Sequence, residues 1–436
     1  MFTPVAGIGD DLAHLVQIGA AQQAFDRTDR RGPHRQVAQS NRRKAQRLHG
    51  ATRILATERQ RRLGVGAPLH DGFQKRQVTD VERVITAAHP LVFTVGGKEE
   101  LLEIVPGEET LAEVLAFMAD YGERVLGKGI VWAKDTPNFV GNRIGVQGMG
   151  KAMQIMLEDG ISIPEVDALF GPALGRPKTA MFKTSDLVGL DTMGHVARNS
   201  FELVTDEEEK KDFVIPEFVN QMIEKKLLGK KTQAGFYKTD LTPEWKKVRK
   251  VINPETLEYE DWQKVDFPCL AEAKKAKTLA EKIRTVVYGD DKGARFAWKV
   301  VANGMIYAAN RIPEISDTVV EIDNAMKWGY NFEMGPFETW DAIGVQESVA
   351  KMETDGLTVP AKVKDMLAAG VTSFYKTENG KVSFYDFDTK GYKEVVVSES
   401  NISLAALKGS GKLVKTCDSA SLVDLGDGVF CCEFHT

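Results

Sequence analysis

The sequence predicts a mainly α protein, with two tandem helical domains following the remnant of an α/β domain. Three observations predict this. Side-chain patterns recur about 155 residues apart across the C-terminal two thirds of the chain, the mark of a duplicated unit. A strand–helix–strand pattern stands immediately before the first copy. The composition changes abruptly near residue 98, ahead of that pattern.

The break is one of charge. Residues 1–98 hold 16 Lys+Arg against 8 Asp+Glu, and their Arg outnumbers Lys by 13 to 3. The remainder is acidic, and there Lys outnumbers Arg by 33 to 8, so the overall net charge of −5 conceals two different halves. The run from Asp26 to Gly50 lacks helical or alternating apolar periodicity. Residues 1–98 are therefore expected to be a foreign or disordered segment. No aromatic residue is interleaved with the arginines as a base-stacking surface requires, so nucleic acid is not an expected partner. Gly7-Ile8-Gly9 and Gly64-Val65-Gly66 each lack a third glycine, with Leu12 and Leu69 in its place, so neither completes a dinucleotide-binding turn.

Other classes are excluded more simply. A hydrophobic fraction of 43% and a charged fraction of 27% are those of an ordinary globular chain. No apolar stretch reaches the ~20 residues of a membrane span, so no membrane partner is expected. The N-terminus lacks a basic region before an apolar run, and a cytoplasmic location is expected. The four cysteines, Cys269, Cys417, Cys431 and Cys432, have no zinc-ligand spacing, so no metal is expected.

From residue 99 the elements follow in order. Leu101–Val105 reads as a strand ended by Pro106-Gly107, Thr110–Val125 as a helix, and Gly129–Ala133 as a second strand. Asp135 or Thr136 is expected to cap the next helix, with Pro137 at its first position. That helix runs towards Glu158, with Met149, Met153, Met156 and Leu157 as a core-facing stripe. The duplication then appears: Gly148-Met149 recurs as Gly304-Met305, and Arg143 aligns with Lys299. Phe182…Asp186…Gly189 recurs as Phe337…Asp341…Gly344, and Pro216…Met222 as Pro360…Met366. Phe236-Tyr237-Lys238-Thr239 recurs as Phe374-Tyr375-Lys376-Thr377. Asp186 and Asp341 are expected to fix helix entry in each copy. The resulting organisation is an N-terminal segment (1–98), an α/β remnant (99–134), a first helical domain (135–240), a charged linker (241–290), a second helical domain (291–380), and a tail (381–436). The tail reads as two strands around Gly426-Asp427-Gly428.

Lys134-Asp135-Thr136-Pro137-Asn138-Phe139-Val140-Gly141-Asn142-Arg143, at this distance after Leu101-Leu102-Glu103-Ile104-Val105, resembles the junction between the nucleotide-binding and helical domains of 3-hydroxyacyl-CoA dehydrogenases. The resemblance continues through Ile163–Asp167, Gly175-Arg176-Pro177, Phe182–Asp191 and Lys231–Tyr237. The two copies resemble the tandem helical domains of fused β-oxidation enzymes. The α/β stretch is then the end of a Rossmann domain, and the tail resembles the opening hairpin of an enoyl-CoA hydratase domain. No hydratase glutamate or oxyanion loop follows it, so no hydratase activity is expected.

The resemblance implies a reaction and its residues. The reaction is NAD-dependent oxidation of 3-hydroxyacyl-CoA, in which a histidine removes the hydroxyl proton and a carboxylate orients that histidine. Glu103 matches the family glutamate and Asn142 the family asparagine. These two are the candidate catalytic residues. The family histidine belongs twelve residues before Glu103, where Leu91 stands, and His89 is out of step with it. NAD is the implied cofactor, yet no cofactor-binding site is found in this chain. An incomplete, weak or inactive dehydrogenase is therefore expected, with a homodimer as its assembly. The rival expectation is a non-catalytic module for oligomerisation or acyl-CoA binding. Read without the resemblance, Glu103 is a half-exposed strand carboxylate and Asn142 a residue in the first turn of a helix.

Overall fold

A computed structural model of the chain describes residues 101–378, 381–396, 402 and 404–435. The expectations for residues 1–98, including His89, Leu91 and both glycine pairs, lie outside them. Two compact units divide the chain, the larger comprising Thr94–Pro106 and Leu115–Thr436. Of the smaller unit, Gly107–Val114 is described: a turn in which Gly107 N donates to Thr110 Oγ1 (2.9 Å), leading into a helix.

Strand β1 (Leu101–Ile104) is buried along its whole length and is followed by helix α1 (Ala112–Arg124). Strand β2 (Gly129–Trp132) pairs with β1 in parallel, Glu103 opposite Val131. Gly122 lets α1 lie directly on this pair, since a Cβ there would come within 2.6 Å of the Leu102 side chain.

The first helical copy comprises α2 (Gly141–Asp159), α3 (Ile163–Leu169), α4 (Phe182–Val188), α5 (Leu190–Leu203), the short α6 (Glu207–Lys210) and α7 (Glu217–Glu224). It closes with an antiparallel meander of β3 (Tyr237–Leu241), β4 (Lys247–Ile252) and β5 (Tyr259–Asp261). Helices α8 (Pro268–Ala273) and α9 (Leu279–Val287) lead to the second copy. That copy repeats the order with α10 (Lys292–Asn310), α11 (Val319–Tyr330), α12 (Pro336–Ile343), α13 (Val345–Thr354) and α14 (Ala361–Ala368). It ends in its own meander, β6 (Tyr375–Glu378), β7 (Lys381–Asp386) and β8 (Gly391–Glu394). The chain is thus mainly helical among the described residues, and none of those helices is long and apolar enough to cross a membrane.

Local sequence explains the helix starts. Ser162 and Glu165 form a capping box before α3, Thr278 and Glu281 another before α9, and Asp291 accepts Ala294 N (2.9 Å) at the head of α10. Pro216 and Pro360 stand at the N-cap of equivalent helices, and Met222 and Met366 are buried on them. The two cores correspond closely. Phe182 meets Phe236 edge-on at 4.6 Å, and Phe337 meets Phe374 at 5.0 Å, all four fully buried.

Four sequence expectations are corrected. The stretch 241–290 is no linker but holds the rest of the first meander and two helices. Its charges alternate along β4, where Lys247 and Arg249 are exposed while Val251 and Ile252 are buried. Asp186 and Asp341 do not fix helix entry: each receives the two backbone N–H groups that begin a meander. Asp186 accepts Phe236 N (2.8 Å) and Tyr237 N (2.9 Å), and Asp341 accepts Phe374 N (2.7 Å) and Tyr375 N (2.8 Å). The entry role falls to Asp167 and Asp323, which accept Phe182 N (2.7 Å) and Phe337 N (2.9 Å) and, on their second oxygens, the hydroxyls of Tyr237 and Tyr375. In the methionine stripe Met153 and Met156 are buried, but Leu157 faces outward. Finally, α2 starts at Gly141 rather than at Pro137, because Asn138 (φ 61°) and Phe139 (φ 52°) adopt left-handed conformations that end any helix before them.

In the tail, α15 (Leu404–Leu407) precedes β9 (Leu413–Cys417), β10 (Ala420–Gly426) and β11 (Val429–Phe434). The hairpin expected around Gly426-Asp427-Gly428 joins β10 to β11, all three turn residues having positive φ, and β9 adds a third strand.

Candidate functional site

The delayed start of α2 creates the site. Val140, its N-cap, gives no side-chain cap, which leaves the first N–H groups of the helix without a local acceptor. Glu103 supplies one from the adjacent strand: its Oε1 accepts Val140 N at 3.0 Å and Gly141 N at 2.8 Å. Its exposure is 2%, so the half-exposed carboxylate of the plain reading becomes a buried one, set against the positive end of a helix.

Asn142 follows directly on that helix and is half-buried. The hydroxyl of Tyr330, at the end of α11, donates to Asn142 Oδ1 at 3.1 Å. The Tyr330 ring lies against Gly145, one turn further along α2, where no Cβ would fit. With Oδ1 so engaged, the amide of Asn142 is turned to present Nδ2 as a donor. The structure thus brings both candidate residues to one helix N-terminus and adds Tyr330, which sequence reasoning missed. No local signal marks Tyr330, because its partner lies 188 residues away.

Helix α11 is held in place by the strands. Glu321 Oε2 accepts Trp132 N (2.8 Å), and Ser316 Oγ donates to Trp132 O (3.1 Å). Burial pushes the Glu321 carboxyl up to about 7. Beside the site, Arg143 (1% exposed) ties both copies together. It donates to Glu209 Oε1 (2.9 Å), to Tyr307 Oη (2.9 Å) and to Glu314 Oε1 (2.9 Å), and Arg311 pairs with the same two glutamates.

Other requirements of the expected chemistry are not met nearby. The histidines among the described residues are His195, exposed beside Asn138 and Asn199, and His435, on Ser421 Oγ (2.9 Å) in the tail. Neither lies on an element next to Glu103. After β1 the chain turns through Pro106-Gly107, with no glycine-rich turn opening a helix towards a pyrophosphate. The described residues therefore do not fit a dinucleotide. No group of His, Cys, Asp or Glu among them is arranged to hold a metal.

A second feature adjoins the first. A solvent-accessible cleft runs between the copies. Helix α2 lines it with Ile144, Gly148 and Met149, α10 with Val300, Gly304 and Met305, and the Tyr330 ring closes the end towards Asn142.

With this geometry in view, the likeness to known proteins is specific. The family model for the 3-hydroxyacyl-CoA dehydrogenase C-terminal domain matches residues 139–239 and again residues 296–376. The model thus matches once in each helical copy. A probable 3-hydroxyacyl-CoA dehydrogenase of Bacillus subtilis is 44% identical over 337 residues, which cover 77% of this chain and 42% of that protein. One from Deinococcus radiodurans is 41% identical over 173 residues, covering 40% of this chain and 48% of that protein. A putative fatty acid oxidation complex trifunctional enzyme of Rickettsia felis is 31% identical over 242 residues, covering 55% and 32% respectively. The chain thus spans less than half the length of each of these relatives.

Proposed function

We propose that this chain carries the carboxylate–amide half of an NAD-dependent (S)-3-hydroxyacyl-CoA dehydrogenase site of fatty-acid β-oxidation. The observation that carries the reading is the meeting of Glu103 and Asn142 at the N-terminus of α2. A buried carboxylate fixed by two N–H groups is suited to orient a base and to stabilise its protonated form. An amide turned by Tyr330 is suited to donate through Nδ2 to a substrate oxygen. The end of a Rossmann domain at β1–α1–β2, a homodimeric assembly and a cytoplasmic location accompany this reading. The reading includes a chain that is weak or inactive by itself, since Leu91 stands where the family histidine belongs and neither Gly7-Ile8-Gly9 nor Gly64-Val65-Gly66 completes a dinucleotide-binding turn.

A second reading, a non-catalytic acyl-CoA-binding module, is favoured by the apolar cleft beside Tyr330. The two are separated by following NADH absorbance with 3-hydroxybutyryl-CoA and NAD on the purified chain, beside direct binding of the same thioester. The proposal expects thioester binding that weakens in Asn142→Ala, with at most trace NADH. Binding indifferent to Asn142 would favour the module, and robust turnover would show that the chain is complete.

A further inference from the structure

The duplicated Gly-Met pairs play no part in the dehydrogenase reading, yet they converge. Gly148-Met149 on α2 and Gly304-Met305 on α10 both line the inter-copy cleft. A Cβ on Gly148 or Gly304 would meet nothing within 4 Å, so both glycines leave room that larger residues would fill. Glycine in mid-helix is destabilising, which makes two glycines along one cleft costly unless the space they leave is used. The walls are mostly apolar and include four methionine side chains, Met149, Met181, Met305 and Met326, that adapt to irregular ligands.

One charge lines this cleft. The Arg176 guanidinium stacks on the Phe332 ring with its carbon 3.4 Å from the ring centroid, which satisfies a face and none of the donors. Its Nη1 is buried with no hydrogen-bond partner. Burial pulls the guanidinium down to about 9. A buried unpaired donor on a cation is costly to keep, and an anion delivered into the cleft would satisfy it.

We propose that the inter-copy cleft binds an aliphatic chain ending in a carboxylate, the carboxylate on Arg176 and the chain along Gly148 and Gly304. Two sources share this chemistry: a free fatty acid, and the far end of an acyl-CoA that itself ends in a carboxylate. The site stands whether or not the Glu103–Asn142 reading does, because its test needs no turnover.

Titration calorimetry on the full chain compares two ligand pairs: dodecanoate with dodecanol, and 11-carboxyundecanoyl-CoA with dodecanoyl-CoA. The carboxylate member of at least one pair should bind tighter by roughly tenfold or more, as a charge-assisted hydrogen bond implies. A preference in the first pair identifies a free acid, and one confined to the second identifies an acyl-CoA terminus. Arg176→Gln should abolish the preference, and Gly304→Leu should weaken binding of the preferred ligand without lowering the melting temperature. Should Arg176→Gln fail to fold, Gly304→Leu alone still tests the location. No preference in either pair, a preference that survives Arg176→Gln, or binding unchanged in Gly304→Leu would overturn the proposal.

Discussion

The two backbone N–H groups held by Glu103 allow its structural and chemical roles to be told apart. A glutamine keeps an oxygen that accepts both, whereas an alanine leaves them buried and unpaired. Glu103→Ala should therefore lose roughly 1–3 kcal/mol of stability, and Glu103→Gln much less. Chemical denaturation of both variants checks this, and equal losses would mean that the carboxylate charge itself holds the helix. Glu321 gives a pH test. Its folded pKa, about 7, lies above the ordinary value of 4.5, so the native state retains a proton that the unfolded chain releases. By linkage this contribution is fully present below the unfolded pKa and is lost as pH rises from about 4.5 to about 7. Glu321→Gln still accepts Trp132 N, so its melting temperature should fall less than the parent's between pH 5 and 8. Parallel curves would contradict the assignment. At this scale the sequence exposed Glu103 and Asn142 through a resemblance, but hid Tyr330 and the unpaired donor of Arg176. Both of the latter depend on side chains far along the chain, and no local pattern encodes them.

Each helical element is repeated with its polar anchor, and the anchors predict matched behaviour. Asn in place of Asp186 or Asp341 keeps one accepting oxygen and sets an NH₂ group against the other backbone N–H. Each substitution should cost roughly 1–3 kcal/mol, measured by urea unfolding. A large loss in one copy with none in the other would break the equivalence. Two helices were legible one by one, Thr110–Val125 and the one running towards Glu158, and the others only as parts of a repeated unit marked by its recurring Phe, Met and Asp positions. The meanders were not. In β4 three cations, Lys247, Arg249 and Lys250, crowd around Val248, and the run reads as a solvated linker until Val251 and Ile252 are seen to be buried. The start of α2 was misjudged for a related reason. Its cap comes from β1 rather than from the residues before it, and capping rules see only local donors and acceptors.

Across the whole molecule, the duplication makes the site a product of both copies. Tyr330 reaches Asn142 from the second copy, and Arg143, Glu209, Arg311 and Glu314 join the two through a buried ionic cluster. Glu209→Ala removes one of the two carboxylates that pair with Arg143 and leaves Glu314 in place, so it should cost roughly 1–3 kcal/mol, read as a lower denaturation midpoint. The tandem arrangement was visible as a repeat, while the contact surface between copies was not, since periodicity within each copy says nothing of how two faces meet. The most direct measurement joins a family nucleotide-binding domain, with its histidine, ahead of Leu101 and follows NADH absorbance with 3-hydroxybutyryl-CoA. The account predicts that activity appears and falls by about 10²-fold or more in Glu103→Gln, in line with loss of general-base assistance. Activity indifferent to Glu103, or none from a folded fusion, would contradict it.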